Sequence, residues 1–178
     1  MKRTIENPVV GDRVTFLKTS KETNGQYVHV QVELKPGGGN DLHYHTCFEE
    51  HFEVVEGHLN VKCNGTEYVL GPGDKITAPA YSVHRFYNKS AGDVRFKAIV
   101  EPAFKFEEGI RIAYGLAADG RCSKKGLPRN FWHLAILIDM GETYFPGIPY
   151  RAQRLLYKGF GRMARLLGKH KELQKYLQ

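Results

Sequence analysis

Up to Val100 this chain is cut by turn signals too often for long helices. Asn24-Gly25 and Asn64-Gly65 are the dipeptide best suited to a two-residue hairpin turn, because both positions tolerate positive φ. Pro36 with Gly37, Gly38 and Gly39, then Gly57, then Gly71-Pro72-Gly73-Asp74, then Ala91-Gly92-Asp93 add further breaks. Between the breaks lie short segments with strand character: Val14–Leu17, Tyr27–Leu34, His51–Glu56, His58–Cys63, Thr66–Leu70, Lys75–Ala78 and Val94–Val100. Tyr27–Leu34 alternates with a period of two, so one of its faces is meant for a core. Many short strands joined by tight turns predict an antiparallel sandwich or barrel.

Past Phe104 the period changes. Phe106 to Ala117 places Ile110, Ala113, Tyr114 and Ala117 on one helical face. Asn130 is a suitable N-cap for a second helix, Phe131 to Met140, which is apolar nearly all round and is expected to be buried. Pro146-Gly-Ile-Pro149 ends it, and Pro149 opens a third, Tyr150 to Leu167. There Leu155, Leu156, Phe160, Met163, Leu166 and Leu167 line one side, while Arg151, Arg154, Lys158, Arg162, Arg165 and Lys169 line the other. The leucine side is expected to pack on the strands or on a second subunit.

One strand-and-loop stretch concentrates metal-competent side chains. His43 and His45 stand at i and i+2, so on an extended strand both rings leave the same face. Glu50 follows in phase with Phe52 and Val54, whereas Glu49 shares the opposite face with His51 and Glu53. If the apolar face is the inner one, Glu50 rather than Glu49 joins the two histidines. A further imidazole, His84, opens the strand after Pro79. Nitrogen and carboxylate donors in this mixture suit zinc or a first-row transition metal.

These residues also carry a family resemblance. Gly37, His43, His45, Glu50 and Gly57 are similar to the first cupin motif, Gly-x5-His-x-His-x4-Glu-x6-Gly. Gly73, Pro79, His84 and Asn88 are similar to the second, Gly-x5-Pro-x-Gly-x2-His-x3-Asn, with Tyr81 standing where the inner glycine belongs. The resemblance implies a mainly β fold, a cupin jelly-roll barrel over residues 1–105, with a helical extension over residues 106–178. It implies one divalent ion, zinc, iron, manganese or nickel, on His43, His45, Glu50 and His84. The helices after the barrel also resemble those of small bacterial one-domain cupins.

Cupins of this kind include dioxygenases, isomerases, decarboxylases and plain binding proteins, so fold and ligands leave the reaction open. A metal-dependent enzyme acting on a small organic molecule is expected, with Glu50 able to serve as base. The alternative is a non-catalytic small-molecule-binding or sensor protein. Phe52, Val54 and Phe86 are expected to face the interior, with Tyr27 a further candidate, a lining suited to an apolar or aromatic ligand. Three scattered cysteines, Cys47, Cys63 and Cys122, and no apolar run long enough to span a bilayer point to a reducing, cytoplasmic setting. By resemblance a homodimer is expected.

Charge is unevenly placed. Residues 1–148 hold 18 Lys+Arg and 18 Asp+Glu, whereas from Pro149 onward eight basic residues face Glu172 alone, so the whole net +7 lies on the tail. No nucleic-acid module accompanies it, so no nucleic-acid partner is expected. Contact with a membrane surface is the less favoured use of that helix.

Overall fold

Asn64-Gly65 turns where its dipeptide places it, directly between two paired strands, whereas Asn24-Gly25 lies inside a longer loop, residues 19–27, and makes no two-residue hairpin. In the computed structural model, which describes residues 2–178, Asn24 and Gly25 take φ of 51° and 80°, and Asn64 and Gly65 take 48° and 87°. At Asn64-Gly65 the paired positive φ gives a turn whose twist matches that of the strands on either side. The strands are β1 (Thr4–Asn7), β2 (Asp12–Lys18), β3 (Val28–Leu34), β4 (Tyr44–His45), β5 (Glu49–Glu56), β6 (Leu59–Cys63), β7 (Thr66–Leu70), β8 (Lys75–Ala78), β9 (His84–Tyr87), β10 (Val94–Glu101) and β11 (Thr143–Tyr144). The helices are α1 (Phe106–Ala118), α2 (Phe131–Gly141) and α3 (Tyr150–Leu166), followed by a 3₁₀ segment, Lys169–Leu177.

Six strands form one antiparallel sheet in the order β1-β2-β3-β10-β5-β8, and three form a second in the order β7-β6-β9. Strict alternation along β3 and β10 turns Val28, Val30, Val32, Leu34, Val94, Phe96 and Ala98 inward. The two sheets share one core, in which Val14, Phe16, Phe52 and Val54 from the larger meet Leu59, Val61 and Leu70 from the smaller. Phe86 of β9 bridges them, with ring centroids 6.0 Å from Phe52 and 5.2 Å from Phe96.

The expected closed barrel is not formed: the sheets stay separate ladders. The connecting strands are too short to complete a ring, since β4 has two residues and β8 and β9 have four each. Isolated bridges, Gly39 to Tyr87 and His43 to His84, link the glycine-rich loop to β9 instead. The fold is therefore mainly β, with a helical region at the C-terminal side.

α1 is wedged between the larger sheet and the other helices. Phe106, Ile110, Ala113 and Tyr114 join the sheet core, while Ile112, Leu116 and Ala117 join a second cluster with Ile136, Met140 and Leu173. Two of its charged residues are buried too. Glu107 and Arg111 pair at 2.8 Å, Glu107 accepts from the Ser20 amide, and the Arg111 guanidinium lies 4.0 Å over the Phe16 ring.

α2 begins as the cap predicts, with the Asn130 side chain accepting from the amides of Trp132 and His133. Its burial is less complete than its composition suggests, because Phe131 is 51% exposed. α3 packs on α2 through small residues, Gly161 against Asp139 and Ala164 beside Ile136 and Met140, while its buried Gln153 bonds the backbone of Phe145 and Ile148. Its leucine side, expected to pack on the strands or on a second subunit, is not covered by the strands and stays open to solvent within this chain.

Candidate metal centre

The strand phase settles which glutamate faces inward. Along β5, Glu50, Phe52 and Val54 are buried while Glu49, His51 and Glu53 are half-exposed. Glu49 spends its carboxylate on His51, 3.1 Å away. Glu50 meets His43, His45 and His84, and one donor atom from each of the four lies within 4.8 Å of all the others. All four residues are buried. Cys47 lies outside this cluster, as do His29, His51, His58, His133 and His170.

Backbone carbonyls orient two of the rings. His43 Nδ1 donates to the Asp41 carbonyl at 2.8 Å and His84 Nδ1 to the Ser82 carbonyl at 2.9 Å. That leaves Nε2 of each as the atom free to bind elsewhere. His84 Nε2 is 3.0 Å from Glu50 Oε2. Both ring nitrogens of His84 thus face acceptors, a carbonyl and a carboxylate. Nδ1 of His45 is buried with no hydrogen-bond partner among the described residues.

Each group's acidity follows from these contacts. Burial drives His45 down to about 3, and burial followed by the neighbouring His84 lowers His43. Burial alone would lower His84 too, but its bonds to Glu50 and Ser82 outweigh that and raise it. Burial would raise Glu50, yet the His84 hydrogen bond and the three imidazoles hold it at about 2. The cluster thus keeps two neutral imidazoles and an ionised carboxylate ready at neutral pH. The donor set fits a divalent ion, since a cation would take the proton's place between His84 and Glu50.

The turn that delivers His84 contains the departure from the glycine motif. Tyr81 takes φ of 67°, the left-handed conformation a glycine adopts readily, and its ring stays 65% exposed. Its amide donates to the His45 carbonyl at 2.6 Å, which fastens this turn to the segment carrying His43 and His45. The substitution therefore preserves the turn.

The cluster opens on a cavity of about 310 Å³ lined by Val14, Val30, Val32, Phe48, Phe52, Phe86 and Phe96. Phe52 and Phe86 are where their strand phase puts them. Val54 is buried in the core but does not reach the cavity, nor does Tyr27. Sequence reasoning missed two sets of lining residues. One is a polar pair, Asp12 of β2 and Tyr114 of α1, whose hydroxyl donates to Asp12 Oδ2. The other is the strap Gly141–Thr143 with Leu137: β11 pairs with β4, Thr143 opposite His45, so the helical extension supplies part of the wall. Both pairings join residues about a hundred positions apart, and no local signal announces them. Past Asn40 and His43 the cavity adjoins a wider groove bordered by Arg85, Lys124 and Lys125.

Comparison with known proteins agrees with this geometry. Residues 30–100 match the cupin domain family, Cupin_2. That segment belongs to the cupin superfamily, and it contains all four clustered residues. The chain is similar to the quercetin 2,3-dioxygenase of Bacillus subtilis (strain 168), 32% identical over 103 residues, which is 54% of this chain and 30% of that protein. It is also similar to the epoxidase atD of Aspergillus terreus, 27% identical over 135 residues, 68% of this chain and 40% of the relative. The chain thus spans less than half the length of either curated relative. Among solved structures, an RmlC-like cupin from Shewanella frigidimarina matches with a TM-score of 0.48 at 23% identity, covering 56% of this chain and 83% of that one.

Proposed function

We propose that His43, His45, Glu50 and His84 hold one divalent metal ion, and that the protein is a metal-dependent enzyme of the dioxygenase or isomerase kind. Its substrate would be a small aromatic or otherwise apolar molecule carrying an enol or carbonyl oxygen. The observation that carries this is four buried donor atoms within 4.8 Å of one another beside an apolar cavity of about 310 Å³. Similarity to a quercetin 2,3-dioxygenase over about half the chain supports an aromatic substrate, although most of that protein has no counterpart here.

A bound divalent ion would supply polarisation of a substrate oxygen and acidify a bound water. Phe48, Phe52, Phe86 and Phe96 would exclude water and grip a flat apolar substrate. The carbonyls of Asp41 and Ser82 would hold the rings of His43 and His84 in position. Glu50, the one carboxylate of the set, would be the base that takes a proton from a substrate hydroxyl.

Elemental analysis of the purified protein tests the metal, and oxygen uptake with a panel of aromatic enols tests the reaction. His45→Ala, His84→Ala and Glu50→Gln are expected to lower metal content sharply, while His51→Ala and Glu49→Gln leave it unchanged. Acid is expected to release the ion as the imidazoles protonate. Full metal retention in the His84→Ala protein would refute the ligand set. Tight binding of a panel compound by the metal-loaded protein without turnover would favour the non-catalytic, ligand-binding alternative.

A further inference from the structure

α3 divides lengthwise into three arcs, and only one of them is covered. At 100° per residue, Gln153, Gly161 and Ala164 fall together on the buried arc. Arg151, Arg154, Lys158, Arg162 and Arg165 form the next arc. Lys158 and Arg165 are held by Asp139, with Glu142 also gripping Lys158, while Arg151, Arg154 and Arg162 project into solvent. Leu155, Leu156, Met163, Leu166 and Leu167 form the third arc, and Leu155 and Leu166 are 76% and 88% exposed. Of the fifteen exposed large apolar side chains among the described residues, five stand on this one arc, so it is a patch and not scatter. Phe131, itself exposed, extends it by an edge contact to Phe160 with centroids 5.1 Å apart.

The charge beside the patch selects the occupant. No acidic residue occurs between Pro149 and Lys171, so the basic arc is not balanced along the helix. Two copies paired antiparallel through this face would set the basic arc of one against that of the other, with no carboxylate between them. A nucleic acid would satisfy the arginines and leave the leucines in water. An anionic bilayer surface satisfies both arcs, phosphate groups meeting the arginines and the acyl boundary meeting the leucines. No helix among the described residues is long and apolar enough to cross a membrane, which fits a helix lying in the interface.

We propose that α3 docks this protein on the surface of an anionic bilayer, with Leu155, Leu156, Met163, Leu166 and Leu167 buried at the acyl boundary and Arg151, Arg154 and Arg162 at the headgroups. The proposal does not depend on the metal centre.

The test is co-sedimentation of the full chain with vesicles of phosphatidylglycerol and phosphatidylcholine, and with vesicles of phosphatidylcholine alone. Binding is expected to the mixed vesicles and not to the neutral ones, and to fade as added salt screens the arginines. Replacing Arg151, Arg154 and Arg162 by Gln is expected to weaken it on the order of 100-fold, about fivefold for each charge lost near the surface. Leu155→Ser with Leu166→Ser is expected to abolish it. These positions are exposed, so melting temperature and metal content of the variants report that the fold is kept. The proposal is overturned if the full chain ignores mixed vesicles at low salt, if it binds neutral vesicles equally, or if the leucine variant binds unchanged. It is equally overturned if light scattering finds a dimer that the leucine variant converts to a monomer, since a second copy would then own the face.

Discussion

α1 and α3 carry similar sequence patterns and meet opposite fates. Each is an amphipathic helix, of 13 and 17 residues, with apolar side chains gathered on one flank. α1 is covered on both sides and even buries an ion pair, Glu107 with Arg111. α3 turns inward a glutamine, a glycine and an alanine, and leaves its leucines outside. The difference lies in how close the neighbour must come. A Cβ on Gly161 would stand 2.8 Å from Asp139 Cβ, so α2 is already at contact distance and admits no large residue there. What a helix buries is thus set by the space its neighbour leaves, and not by which of its residues are most apolar.

The contrast breaks most easily at Arg111. Its guanidinium bonds Glu107 twice and the Lys2 carbonyl once, and it covers the Phe16 ring, all within a nearly closed site. Arg111→Ala strands a buried carboxylate and removes packing, with an expected loss of about 3–5 kcal/mol in denaturant unfolding. Arg162→Ala on the open side of α3 is expected to change stability by less than ~0.5 kcal/mol. Equal losses would mean that α1 is held by its apolar contacts alone.

Next comes the bond between α1 and β2. Burial raises the Asp12 carboxyl from 3.8 to about 6, against the opposing effect of the Tyr114 hydrogen bond. Because the folded value lies above the unfolded one, the native state holds this proton more tightly than the unfolded chain. Stability from this group is therefore fully present below about pH 4 and is lost as pH rises to about 6. Two pKa units bound the loss at about 3 kcal/mol. Asp12→Asn should remove it, so that the variant gains on the parent between pH 4 and pH 7. A difference between the two proteins that stays constant across that range would contradict the burial argument.

The sequence discloses faces better than it discloses what covers them. Strand phase put Glu50 inward with Phe52 because alternation is a local property of extended backbone, and the Asn64-Gly65 turn and the Asn130 cap are equally local. Spacing made His43, His45 and Glu50 legible for the same reason, whereas His84 was joined to them only by the resemblance of its stretch to the second cupin motif. β1 was invisible, since Thr4-Ile-Glu-Asn7 has no alternation of its own and takes its place only by pairing with β2. Sheet closure, the Asp12–Tyr114 pair and the strap beside His45 are matters of which distant segment arrives, and periodicity does not encode that. The leucine face of α3 belongs with them.

Within α3 the buried arc and the leucine arc can be compared at Gly161 and Gly159. Gly161 faces Asp139, which is pinned by Lys158 and Arg165, so Gly161→Ala must push α3 away from α2. Crowding of about 1–3 kcal/mol less the ~1 kcal/mol gain in helix propensity predicts a net loss of about 1 kcal/mol. Gly159 faces open space, so Gly159→Ala keeps the propensity gain and is expected to stabilise by up to ~1 kcal/mol. Thermal melts of the pair decide it: a gain from both would mean that α3 rests loosely on α2.

The smallest effect is expected where the side chains are largest. Leu155 and Leu166 are the most exposed large apolar residues of the helix and touch neither core cluster. Ordinarily, replacing a buried leucine by a small residue costs about 2–5 kcal/mol. Here Leu155→Ser with Leu166→Ser removes no buried contact, and the expected change is within ~0.5 kcal/mol for each position, less the small helix preference of Leu over Ser. Dilution separates the possibilities further. If a second copy covers this face, the parent's melting temperature rises with protein concentration and the double variant's does not. If the face is free in solution, both melt at concentration-independent temperatures within a few degrees of one another, and the leucines are retained for something other than the stability of this chain.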